Sequence, residues 1–251
     1  MEEVCFIDVH CHLDSYKDAE ISRIIKECRE EGVKIIVNNG VDIKTNRRIL
    51  ELSKKFPEIK SALGLYPIEA LKISDSEIDD EINFIRKNKD KIAAIGEVGI
   101  DLKWSKNIKR QTEIFRKFIS LSIELNKPII VHSRNAEEEC IKILEDMNAE
   151  KVVMHCFSGK MSLAERIVKN KWFLSIPANV NFSDQFQKIV EVVPIENLLT
   201  ETDSPYLHPL KERNNTPKNV IYSYKKISEI KNMNIKDVKK EIFNNYMKIF
   251  W

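Results

Sequence analysis

The chain is short of the features that would place it outside the cell or in a membrane. Its five cysteines (Cys5, Cys11, Cys28, Cys140 and Cys156) are odd in number and never stand as CxxC, so the disulfide framework of a small secreted scaffold is excluded. No apolar run approaches the 18 or so residues that a membrane helix requires. Met1 leads into acidic residues, with no basic and then apolar leader behind it. An excess of one charge is also missing: 41 Lys and Arg face 39 Asp and Glu, a formal net charge of +2. No global field therefore advertises a polyanionic partner, and any affinity for nucleic acid must be local. Low-complexity segments, short repeats and Gly/Ser-rich linkers are absent, which leaves a two-domain division unsupported. Together these absences predict a reduced, cytoplasmic, monomeric protein with no membrane contact.

What is present is a recurring pattern. At 251 residues, 43% hydrophobic, the chain can bury one large core, and eight βα units fit that length. Short β-rich apolar runs predict strands at Cys5–His10, Lys34–Asn39, Ile59–Leu65, Ile92–Ile100, Ile129–Ser133, Val152–Phe157, Phe173–Pro177 and Leu198–Asp203. Charged amphipathic stretches such as Lys109–Leu125 and Ala136–Met147 separate them. The fold class predicted is α/β, a single-domain (β/α)8 TIM barrel over residues 1–251 with an extra C-terminal helix. Pro217–Lys231 and Ile235–Phe250 read as two final helices that close the outer layer.

Polar residues interrupt the apolar runs at the ends of these strands. His10 and His12 in "IDVHCHLD" lie two apart, so on a strand both imidazoles face one point. Glu97 in "IAAIGEVGID" lies in an apolar run where a carboxylate is costly unless paired or metal-bound, and Gly96 and Gly99 let backbone pass close. His132 ends "PIIVHSR", His155 ends "KVVMHCFSG", and Asp203 ends "LLTETDSPYL". Each alone is equally a satisfied core polar group. Together they put four of the five histidines and two carboxylates at the barrel face where such folds do chemistry. That donor set suits two divalent metal ions, Zn, Mg or Mn, with Glu97 bridging and positions left open for water and substrate. Two cations about 3.5–4 Å apart would activate water and clamp the oxygens of an in-line phosphoryl displacement, and their excess positive charge selects phosphate esters.

The series "DVHCHLD", "IGEVGID", "PIIVHSR", "VMHCFSG" and "TETDSPYL", in that order, resembles the motifs of the TatD-type metal-dependent deoxyribonucleases, a branch of the amidohydrolase-like barrels. "NNYMKIF" resembles the family's terminal helix, so the likeness spans the chain. The resemblance implies a two-metal site held by His10, His12, Glu97, His132, His155 and Asp203. It implies hydrolysis of DNA phosphodiesters from 3′ ends, on single-stranded or damaged DNA, with Glu97 and Asp203 catalytic and Asp203 handling the proton of the attacking water. Two departures stand out. Gly64-Leu65-Tyr66-Pro67 replaces the family's Gly-x-His-Pro, so a substrate-facing imidazole becomes the phenol of Tyr66. Arg213-Asn214-Asn215-Thr216-Pro217 replaces Arg-Asn-Glu-Pro, which displaces Arg213 by one residue.

Arg134, Arg213 and Lys211 on the following loops are candidates for phosphate contact, and Trp104 for stacking an unpaired base. His208 reads as a solvated or substrate-side residue. Cys11 and Cys156 should point away from their neighbouring histidines as wall residues. Two rival readings accompany the nuclease. One keeps the metals but takes a small ester, amide or aminoacyl-RNA substrate, which the balanced charge favours. The other is a non-catalytic adaptor, against which the intact set of converging polar groups argues.

Overall fold

Parallel strands and helices alternate through the computed structural model, which describes residues 4–251. The strands are β1 (Phe6–Cys11), β2 (Val33–Asn39), β3 (Ile59–Leu63), β4 (Ala94–Gly99), β5 (Ile129–His132), β6 (Val152–Met154), β7 (Phe173–Pro177) and β8 (Leu198–Glu201). Around them run α1 (Asp18–Glu30), α2 (Ile43–Lys55), α3 (Pro67–Ala70), α4 (Asp75–Lys87), α5 (Ile108–Leu125), α6 (Glu137–Asp146), α7 (Met161–Lys169) and α8 (Asp184–Val192), followed by α9 (Ile221–Lys231) and α10 (Ile235–Phe250). Each strand pairs in parallel with the next, in the order β1 to β8. All eight predicted strands are present, and the sheet curls into a TIM barrel. Among the described residues no helix is long and apolar enough to cross a membrane.

Alternation along the strands produces two cores. Ile7, Val37, Ala62, Ala94, Ile130, Val153 and Leu199 fill the interior, while Ile36, Leu63, Val131, Met154, Leu174 and Leu198 pack outward against the helices. The expected outer-layer role holds for α9, whose Tyr224 and Ile227 join the outer core. It needs correction for α10. Val238 and Ile242 pack in the outer core, but Phe243, Tyr246 and Ile249 join the interior one. The Asn245 side chain donates to the carbonyls of Ile195 (2.7 Å) and Leu198 (2.8 Å) at the start of β8. The last helix therefore stoppers the amino-terminal end of the barrel, because its apolar stripe is wide enough to serve both cores.

The seam between β8 and β1 is stitched by backbone and side-chain bonds together. Beyond β8, Asp203 N–H donates to the His10 carbonyl (2.9 Å) and His12 N–H to the Ser204 carbonyl (2.8 Å). Along the strands, Thr200 Oγ1 donates to the Ile7 carbonyl (2.8 Å), and the Ile7 N–H finds the buried Tyr224 hydroxyl at 3.0 Å. Tyr224→Phe should therefore leave a buried amide unpaired and cost about 1–3 kcal/mol. Urea unfolding checks this; an unchanged midpoint and slope would show that the seam does not depend on the hydroxyl.

Several strands stop earlier than their apolar runs suggest. β6 ends at Met154 rather than Phe157, and β8 at Glu201 rather than Asp203. The backbone then enters the left-handed region at Cys156 (φ 46°) and Asp203 (φ 51°), which a strand cannot accommodate.

Candidate metal centre

Strand period two does not by itself aim the histidines inward. Ile7 and Val9 both lie in the barrel interior, so strict alternation would send Asp8 and His10 to the outside. The β1–β2 register slips between Asp8 and Cys11, where three steps along β1 match two along β2. That bulge turns His10 inward and Cys11 outward, onto the outer core. The Asp8 carboxylate holds it, Oδ1 accepting the N–H groups of His10 (3.1 Å) and Thr202 (3.0 Å). A second slip, between Ile95 and Val98 on β4, does the same for Glu97. Glycine allows the strands to close around it. A Cβ on Gly64 would sit 2.7 Å from the Glu97 carbonyl oxygen, and one on Gly99 (φ +144°) would overlap the His132 carbonyl.

The six predicted ligand side chains converge. His10 Nε2 and His12 Nε2 lie 3.2 Å apart. Both stand 3.5 Å from Glu97 Oε2 and, at 3.6 and 3.4 Å respectively, face Asp203 Oδ1. The other Glu97 oxygen faces His132 Nδ1 at 2.8 Å and His155 Nε2 at 3.9 Å. Three overlapping groups, His10–His12–Glu97, Glu97–His132–His155 and His10–His155–Asp203, each bring their donor atoms within 4.8 Å of one another and are able to hold a metal ion. Of the six, only His10 and Glu97 lie within strands and His132 at a strand's last residue; His12, His155 and Asp203 come just after strand ends.

Two buried carboxylates behind the centre escaped the sequence reading. Asp101 Oδ2 lies 2.9 Å from His132 Nε2 and accepts the Tyr66 hydroxyl at 2.7 Å. Glu201 Oε2 lies 2.9 Å from His155 Nδ1 and accepts Ser175 Oγ at 2.5 Å. His12 Nδ1 faces the Asn39 carbonyl at 3.0 Å. In each case one ring nitrogen is tied away from the centre, which fixes the tautomer and leaves the other nitrogen's lone pair directed at the centre. The signal was legible: Asp101 closes "GEVGID" and Glu201 sits inside "LLTETD", both acids against apolar strands. Their partners, however, lie on other strands. Tyr66, expected at the substrate, donates its hydroxyl to the carboxylate behind His132.

Charge within the cluster is strongly polarised. Burial raises the carboxyl of Glu97, but hydrogen bonds from His10 and His132 outweigh it and hold Glu97 well below the usual range. Burial likewise opposes the charged form of His12, yet the hydrogen bond to Asp203 and the charge of Glu97 push it up to about 9. His155 rises to about 10, because adjacent Glu201 overcomes burial. His10, desolvated and beside His155, falls to about 3. The carboxylates thus draw positive charge into a site rich in imidazole nitrogens, which is the field and donor chemistry that a divalent cation requires. The residues fit a metal.

A cleft of about 110 Å³ opens over His132, His155 and Asp203, with Arg134, Cys156 and Leu207 on its walls. Cys11 is a wall residue as expected. Cys156 also packs against the outer core, and on its left-handed backbone it lines the cleft as well. Arg134 is exposed on the cleft wall, whereas Arg213 is exposed in the loop after β8 and does not line the cleft. His208 Nδ1 accepts the Leu210 N–H (3.2 Å) and so braces that loop. Trp104 projects into solvent, and Lys211 Nζ stands 4.6 Å from the centre of the Phe182 ring.

Comparison with known proteins agrees with this geometry. Residues 7–251 match the family described as "TatD related DNase". The chain is 41% identical to "Uncharacterized metal-dependent hydrolase MJ1582" of Methanocaldococcus jannaschii, over 100% of this chain and 98% of that protein. It is 30% identical to human "Deoxyribonuclease TATDN3", over 98% and 95% of the two chains. Among solved structures, the TatD homologue YJJV of Escherichia coli superposes with a TM-score of 0.92 at 23% identity, covering 99% of both chains, a likeness of fold.

Proposed function

Because the chain belongs to the TatD-related DNase family, we propose that it is a metal-dependent phosphodiesterase that hydrolyses DNA with two divalent ions, removing nucleotides from 3′ ends of single or damaged strands. The observation that carries this reading is the position of Glu97, with one carboxylate oxygen toward His10 and His12 and the other toward His132 and His155. His10, His12 and Glu97 would hold one ion, Glu97, His132 and His155 the other, and Asp203 completes the set. The human relative's name, deoxyribonuclease, supports DNA as the substrate. Five free thiols, four of them buried, support action in a reducing cytoplasm. We also take residues 1–251 as one domain and the protein as a monomer.

When bound, the cations supply Lewis acidity toward the phosphoryl oxygens and lower the pKa of the attacking water. The chain supplies position and a proton acceptor. Asp101 and Glu201 hold His132 and His155 by the nitrogens turned away from the centre. Asp203 lines the cleft, and although burial opposes its charge, the His12 hydrogen bond together with the charges of His155, His10 and His12 holds its carboxyl below the usual range, so it is ionised and able to accept the water's proton.

Arg134, on the cleft wall, neutralises a backbone phosphate. Arg134→Ala should weaken single-stranded oligonucleotides of every sequence and reduce the slope of log affinity against log salt by roughly 0.7. An unchanged slope would remove Arg134 from the interface. The near balance of charge favours a second reading, a small ester or amide on the same metals. Hydrolysis of end-labelled single-stranded DNA with Zn, Mg and Mn in turn, beside a panel of small esters, decides between the two. Cleavage of esters alone would overturn the nuclease reading.

A further inference from the structure

The exposed rings are not scattered. Among the described residues four aromatic side chains stand out as large exposed apolar groups, and three of them rise from loops at the carboxyl-terminal mouth of the barrel: Trp104 after β4 (66% exposed), Phe182 after β7 (41%) and Tyr206 after β8 (61%). Each loop is fastened to the centre or to a neighbouring loop. The Trp104 N–H donates to Asp101 Oδ1 at 3.1 Å, on the carboxylate that holds His132. The Tyr206 N–H donates to the Asp203 carbonyl at 2.8 Å, and its ring centre lies 6.4 Å from that of His12. Asn181, beside Phe182, donates its side-chain amide to the Pro209 carbonyl at 3.3 Å, joining the β7 and β8 loops.

Single exposed apolar residues are ordinary, but three planar rings on loops at one end of the barrel, two of them beside a lysine, are a different pattern. Lys103 Nζ lies 5.5 Å from the Trp104 ring centre and Lys211 Nζ 4.6 Å from that of Phe182, and Arg134 stands on the cleft wall between β5 and α6. A ring beside an ammonium offers a face to a base and a charge to the adjoining phosphate. A duplex, with its bases stacked on one another, can use only the charge.

We propose that Trp104, Phe182 and Tyr206 form a stacking rim that selects single-stranded DNA by its unpaired bases, so that stacking supplies much of the affinity that the chain's net charge of +2 does not. The inference rests on the nuclease reading for its substrate, but it concerns binding rather than cleavage.

The test uses the metal-loaded protein and three probes: a single-stranded thymidine oligonucleotide with phosphorothioate links that resist hydrolysis, an abasic strand of the same length and linkage, and the corresponding duplex. The abasic strand keeps every phosphate and removes every base. Stacking is worth roughly 1–3 kcal/mol per base, so the thymidine strand should bind roughly 5- to 150-fold more tightly than the abasic one. It alone should quench tryptophan fluorescence, since Trp172 is buried and Trp251 lies at the far end of the barrel. Trp104→Ala and Tyr206→Ala should each erase most of the preference, measured by anisotropy of a labelled strand, while leaving abasic affinity in place; Tyr206→Phe, which keeps the ring, should retain it. Equal affinity for thymidine and abasic strands, or for duplex and single strand, overturns the proposal. Cleavage of an unmodified strand is measured in parallel. Cleavage without base-dependent binding sinks the rim and spares the nuclease reading; base-dependent binding without cleavage does the reverse.

Discussion

Glu97→Gln should weaken both metal sites together, by at least about a hundredfold each, and take hydrolysis with them. The side chain keeps its size and loses its charge. In the native site Oε2 lies 3.5 Å from the ring nitrogens of His10 and His12, and Oε1 lies 2.8 Å from His132. A carboxylate so placed would serve two cations at once, while an amide would offer one neutral oxygen and turn an NH2 group on the other pair. A ligand on one side only, such as His12, should on replacement by Gln lose one ion and spare the other. Calorimetric titration with metal and elemental analysis at saturating ion report the stoichiometry. A wild-type value of one ion per chain, or a Glu97→Gln protein that loses only one of two, would sink the bridging role.

Asp203→Asn is the complementary case, expected to lower turnover by at least about a hundredfold, the scale for removing a positioned acid-base group. Asp203 Oδ1 lies 3.4 Å from His12 Nε2 and 3.6 Å from His10 Nε2, and the side chain forms part of the cleft wall. Asn keeps the shape and the oxygen but cannot take up a proton near neutral pH. The measurement must be made at saturating metal, so that loss of metal affinity does not pass for loss of proton transfer. A fall in kcat with KM little altered is the expected signature. Turnover near that of the wild type under those conditions would remove Asp203 from the chemistry and leave it as a ligand alone.

These two residues also show how far a reading from sequence reaches. Glu97 was conspicuous because a lone acid in "IAAIGEVGID" is costly without a partner, and the structure supplies three imidazoles within 3.5 Å. The apolar run before Asp203 predicts it as the last residue of a strand, but it lies two residues beyond β8 on left-handed backbone. Its identity was legible and its conformation was not, since apolar runs mark where a strand begins better than where the backbone turns.

The amino-acid sequence by itself determined the number and order of the strands and the identity of the six converging side chains. Both follow from local physics: apolar runs of strand length must be buried, and polar groups at their ends must find partners. Only the tertiary structure decided where those side chains point. Bulges at Asp8–Cys11 and Ile95–Val98 turn His10 and Glu97 inward, and the period of a single strand does not reveal a slip against its neighbour. The tertiary structure also decided that Asp101 and Glu201 stand behind His132 and His155, that α10 stoppers the barrel rather than only sheathing it, and that Arg134 reaches the cleft while Arg213 does not. Each of these is a relation between segments 20 to 240 residues apart, set by how strands and helices pack against one another, which residue type and local spacing leave open.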